Sequence, residues 1–122
     1  MNHIVSWFEI PASDFDRACK FYTEVLGHNL ELMEVHGTKM GMWPMDGSNI
    51  SGSIVHGDDY KPASNGTCVY LNGGDDLSVP LGKVESAGGT IIVPKTEIGP
   101  EMGFFALFID TEGNKIGFHS PQ

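Results

Sequence analysis

The first apolar pattern of the chain has the period of a strand. From His3 to Ile10 the side chains alternate, so His3, Val5, Trp7 and Glu9 share one face and Ile4, Ser6, Phe8 and Ile10 share the other. Pro11 has no backbone donor and is expected to end the pairing. The spacing then becomes helical, with Phe15, Ala18, Cys19, Tyr22, Val25 and Leu26 along one stripe. Ser13 is the predicted N-cap, with Asp16 in a capping-box position and Asp14 favourable near the positive helix end. Gly27 is the natural stop, because glycine takes the left-handed conformation without strain.

Three further strands follow in NLELMEVHG, TKMGMWPM and ISGSIVHG. In the second of these, Met40 and Met42 fall on one face and Gly41 and Trp43 on the other. Residues 58–65 form a polar connector rich in turn formers. The second half opens with the strand TCVYLN. DDLSVPLGKVESAGG then predicts a helix capped by Asp75, Asp76 or Ser78, with Pro80 in its first turn and Gly88 and Gly89 ending it. TIIVP, GFFALFID and KIGFHS read as three more strands, the last two joined by a hairpin-type turn at DTEGN.

Both halves thus read strand, helix, strand, strand, strand. Gly27 and Gly89 lie 62 residues apart, as do Gly41 and Gly103. The pattern predicts one domain of class α+β, built from two βαβββ modules at about 1–57 and 66–122. Their eight strands are expected to form an open sheet around a cleft, lined by strand positions that face away from the helices.

Composition removes several function classes. The chain has 122 residues and a formal charge of −9, and its seven basic residues are scattered. That argues against nucleic-acid and anionic-membrane partners, which need clustered Lys and Arg. Cys19 and Cys68 form no CxxC pair and read as reduced thiols packed in the interior. The N-terminus lacks a basic region followed by an apolar run, and no apolar stretch reaches membrane-spanning length, so the expected location is cytoplasmic.

FEIPASDFDRACKFYTEVLG resembles the first strand and helix of the vicinal oxygen chelate superfamily of glyoxalase I, bleomycin-resistance proteins and extradiol dioxygenases. GTCVYLN, VESAGGTII and FIDTEGNKIGFHS resemble its second module, so the likeness covers nearly the whole chain. It is nearest to a glyoxalase-like subgroup related to lactoylglutathione lyase. The resemblance implies paired βαβββ modules, often as a homodimer. In metal-dependent members it also implies a divalent ion held by one residue from each of four strands.

Carried over residue by residue, that ligand set is missing. The four positions fall at Val5, at Gly52 among Ser51, Gly52 and Ser53, at Thr67, and at Gly117. Val and Gly offer no donor, and Ser and Thr are poor neutral ligands for such ions. Polar groups do remain two residues away on the same faces, at His3 and His119, with Glu9 further along the first strand.

Two readings follow. The preferred one is a small-molecule binder without the usual metal site, resembling bleomycin-resistance proteins, with Trp7, Glu9, Met42 and His119 as ligand-binding candidates. The alternative is a rearranged metal-dependent lyase, isomerase or dioxygenase. There His3 and His119 would hold a divalent transition metal, and Glu9 would be a ligand or the general base. Met40, Met45, Met102 and Trp43 are further candidates for an adaptable apolar wall.

Overall fold

A computed structural model describes residues 3–122. The elements run β1 (Trp7–Pro11), α1 (Phe15–Leu26), β2 (Glu31–Val35), β3 (Thr38–Met42), β4 (Ser51–His56), β5 (Val69–Asn72), α2 (Ser78–Leu81), β6 (Thr90–Gly99), β7 (Gly103–Ile109) and β8 (Lys115–Ser120). The fold is α+β, and its eight strands form two sheets of four, ordered β1-β4-β3-β2 and β5-β8-β7-β6. In each sheet the first strand of the half pairs in parallel with the last, and the remaining neighbours are antiparallel. Strands β1 and β5 are therefore edge strands.

Helix α1 lies between the sheets. Its buried residues are Phe15, Ala18, Phe21, Tyr22 and Val25. Phe21 falls beside the expected stripe because the helix is covered on two sides. On one side the Cys19 thiol lies over Gly41 of β3, 3.1 Å from where a β-carbon would stand there. On the other side Phe21 meets Phe108 of β7, with ring centroids 6.0 Å apart. One core joins Ile10 and Ile54 of the first sheet, α1, and Ala106, Phe108, Ile116 and Phe118 of the second.

The cap of α1 differs from expectation by one residue. Asp14 is the N-cap, and its carboxylate accepts from the Arg17 N–H at 3.1 Å. The Ser13 hydroxyl instead donates to Glu112, in the turn between β7 and β8. Glu112 also accepts from the Asp14 N–H at 2.7 Å and from Arg17 Nε at 2.7 Å. Beside this clamp the Tyr22 hydroxyl donates to the buried Asp110 at 2.6 Å, and Asn114 Nδ2 reaches the Pro11 carbonyl at 2.7 Å. The start of α1 is thus tied to the far hairpin turn of the other sheet.

The second helix is shorter than its sequence suggested. Only Ser78–Leu81 is α-helical, and residues 82–88 continue as turns. Pro80 lacks an N–H and Gly82 has a low helix propensity, so several bonds shorten to three-residue spacing, as in Lys83 N–H to Pro80 and Val84 N–H to Leu81. The N-cap is Leu77, without a side-chain cap bond, and Asp76 just before it accepts from the Ser78 N–H at 2.9 Å in a local turn. Strand β1 begins later than expected, at Trp7, and includes Pro11 as its last residue. Strand β6 runs through Pro94 to Gly99, which an edge strand with register breaks accommodates.

Candidate functional site

Each sheet has one face in the shared core and one face turned outward. On the first sheet, Glu9, Ser53 and Met42 stand side by side across β1, β4 and β3. Trp7, Val55 and Met40 share that face by the period of two. On the second sheet the corresponding trio across β5, β8 and β7 is Tyr70, Gly117 and Leu107, with Asn72, His119 and Phe105 in the next rank.

These faces do not close on each other within one chain. Glu9 and His119 are exposed, and Tyr70 is 51% exposed. The outer edge strand β2 adds Met33 and Val35, both exposed. Among the described residues, the main packing between the two halves runs through α1 and the shared core. A groove of about 1200 Å³ opens where the β1 edge faces β5 and α2, lined by Trp7, Phe8, Trp43, Tyr70, Pro80 and Lys83 among others.

Of the four ligand-binding candidates, all lie on outward faces, but on different sheets. Trp7, Glu9 and Met42 share the first, and Trp7 also borders the groove. His119 is on the second, where its Nε2–H donates to the Met102 carbonyl at 3.0 Å. His3 precedes β1 and is exposed. His56 is half-buried, and its Nδ1–H donates to the Ala12 carbonyl at 2.8 Å. Among the described residues, no three His, Cys, Asp or Glu side chains gather as a metal-binding group. His3, Glu9 and His119 therefore do not converge in one chain.

The residues present do not fit the metal that the family resemblance implies. Val5 is exposed ahead of β1, and Thr67 is exposed ahead of β5. Gly52 lies on the core side, where a β-carbon would stand 2.5 Å from the Phe8 carbonyl oxygen. At Gly117 a β-carbon would overlap the Tyr70 ring, which occupies the space a ligand side chain would need.

Trp43 packs in the core against Phe8 and Tyr22, at centroid distances of 5.7 and 5.6 Å. Burial of the Tyr22 hydroxyl, with the Asp110 carboxylate beside it, pushes its pKa well up, so it stays a donor. Burial also raises the Cys19 thiol to about 11, which makes it a poor nucleophile. At the far end of the groove, the hydrogen bond from Lys95 and the Ser78 N–H lower Asp76 to about 2. Lys95 itself lies 4.6 Å above the Phe104 ring.

Two groups escaped the sequence reading. In the sequence Ser53 is only a weak candidate metal ligand, yet in the structure it is fully buried and its hydroxyl has no partner among the described residues. Tyr70 carried no signal, because only the β5–β8 register places it over Gly117.

The chain is 30% identical over 113 residues to a glyoxylase-like domain-containing protein of Didymella fabae, covering 90% of this chain and 88% of that one. Its structure resembles glyoxalase I from Zea mays with a TM-score of 0.70 at 18% identity, over 95% of this chain but only 45% of the maize protein. It also resembles TnmS3, an antibiotic binding protein from Streptomyces sp. CB03234, with a TM-score of 0.64 at 22% identity, over 100% of this chain and 98% of that one. The family model for the Glyoxalase/Bleomycin resistance protein/Dioxygenase superfamily matches residues 1–118, and the chain belongs to that superfamily.

Proposed function

We propose that this protein binds a small molecule in a cleft formed between two copies of the chain, without the divalent ion of its metal-dependent relatives. The observation that carries this reading is the pair of outward faces. Trp7, Met40 and Met42 on one sheet, and Tyr70, Phe105 and Leu107 on the other, are apolar groups on outward faces that one chain leaves partly exposed. Apolar faces with a few polar groups suit ligands and partners.

A homodimer supplies the cover. Both β1 and β5 have unpaired edges, and edges of this kind seek a neighbour. Setting β1 of one copy beside β5 of the other turns two four-stranded sheets into one eight-stranded surface. Glu9 and Met42 of one copy would then face His119 of the second. The antibiotic-binding description of TnmS3 is in keeping with such a cleft, although its likeness to this chain concerns the fold. The lyase or isomerase alternative has less support, because Gly117 is filled by Tyr70 and the histidines lie apart.

Light scattering on the eluting protein, followed by an NMR screen of aromatic fragments, tests this. The expected result is a dimer whose Trp7 and Met42 resonances move on fragment binding. A strict monomer whose outward faces respond to no fragment would overturn the reading. Added nickel, zinc, manganese or iron is expected to leave Tm unchanged.

A further inference from the structure

The outward face of the first sheet has an unusual charge pattern. Glu9 stands on its edge strand β1, with Ser53 and then Met42 following across the ladder. Glu31, paired with Met42 from β2, adds a second carboxylate on that face. No Lys or Arg belongs to it: the register assigns it Trp7, Glu9, Glu31, Ser53, Met40 and Met42, with only neutral residues besides. Neither ion pair of the described residues involves Glu9, so its carboxylate has no cationic partner there.

Ser53 is the second observation. It is 0% exposed, and its hydroxyl lies on this face with no hydrogen-bond partner among the described residues. A buried hydroxyl left unpaired costs free energy, and a ligand that pairs it recovers that cost. A carboxylate and a hydroxyl on adjacent strands together accept from one N–H-rich cation. An aromatic ring nearby, here Trp7, also favours a cation.

We propose that the ligand of this cleft is an aromatic or apolar molecule bearing a protonated amine. The ammonium donates to the Glu9 carboxylate and the Ser53 hydroxyl, and the apolar body lies along Trp7, Met40 and Met42. This rests on the small-molecule reading above and adds the chemical class of its ligand. The trio on the other sheet, Tyr70, Gly117 and Leu107, offers no charge and would cover the apolar part.

The test uses three probes of one shape: 1-naphthylmethylamine, 1-naphthalenemethanol and 1-naphthoate, titrated by NMR at physiological salt. The amine is expected to bind roughly tenfold tighter than the alcohol, and the carboxylate weakest of all. Glu9→Gln should bring the amine down to about the level of the alcohol. Ser53→Ala should weaken the amine severalfold without lowering Tm. Glu85→Gln removes an exposed carboxylate elsewhere and controls for the general negative charge; it should change neither probe.

Equal binding of amine and alcohol to the unaltered protein overturns the inference and leaves the small-molecule reading standing. So does an amine preference that survives Glu9→Gln or is lost equally in Glu85→Gln. If no probe moves the resonances of Trp7 or Met42, the inference fails together with that reading.

Discussion

The two sheets share strand order, pairing directions and a common core, yet their outward faces are built differently. At the centre of the first stand Glu9, Ser53 and Met42; at the centre of the second stand Tyr70, Gly117 and Leu107. The first keeps a buried hydroxyl and an unpaired carboxylate. The second fills the matching space with an aromatic ring lying over a glycine. One backbone arrangement therefore supports a polar anchor in one half and an apolar wall in the other. What separates them is which strand position carries the small residue.

The largest effect should come where a small residue faces backbone. A β-carbon at Gly52 meets the Phe8 carbonyl oxygen as well as its ring, and a backbone carbonyl in a parallel ladder cannot step aside. Gly52→Ala should cost about 3 kcal/mol in chemical denaturation. A near-neutral result would mean that the β1–β4 ladder is looser than its register implies.

Next is the link between the halves. Tyr22→Phe removes the hydroxyl donated to the buried Asp110, which keeps its bonds from Asn114 and from the Glu112 N–H. Loss of one donor to a buried carboxylate should cost about 2 kcal/mol. The two sheets share one core, so unfolding should remain a single transition. Two separate transitions would break the view of one core.

A smaller effect is expected at Gly117, because its obstacle is a half-exposed ring. Gly117→Ala should push Tyr70 outward at about 1 kcal/mol, and adding Tyr70→Ala should recover most of that loss. An additive pair would show that the ring does not rest on the glycine.

The smallest effect is the clamp. Burial by itself would raise the Glu112 carboxyl. Bonds from Arg17, the Asp14 N–H, Thr111 and Ser13 outweigh it and lower the value from 4.5 to about 2. A depressed carboxyl stabilises the fold above its unfolded value and loses that contribution as pH falls through the folded one. The unaltered protein should thus exceed Arg17→Met in stability by a small margin near neutrality, because Arg17 is exposed and screened by water. That margin should shrink as pH falls from 4.5 towards 2. A margin constant with pH would remove the ion pair from the clamp.

Much of the fold was readable in the chain. The order of strands and helices follows the changes of hydrophobic period. The face assignments of Met40 and Met42 against Gly41 and Trp43 follow from alternation. The matched glycine spacing was less informative than it looked. Gly27 caps α1 with a positive φ of 76°, whereas Gly89 packs against Ile109 and Val84. Gly41 sits under the Cys19 thiol, and Gly103 opens β7 with a φ of 81°. Equal spacing here joins glycines with different work, because turn lengths differ between the halves.

The amino-acid sequence alone determined the family, the element order, which side chains stand at the positions that the resemblance marks for ligands, and the apolar character of the strand faces. These depend on local periodicity and on which side chains carry donors. Only the tertiary structure decided that α1 lies between two sheets, that Tyr70 rests on Gly117, and that Ser53 is enclosed beside an unpaired Glu9. Each depends on which residue of one strand stands opposite which residue of another. That register is set by packing between segments distant in sequence, and no local pattern contains it.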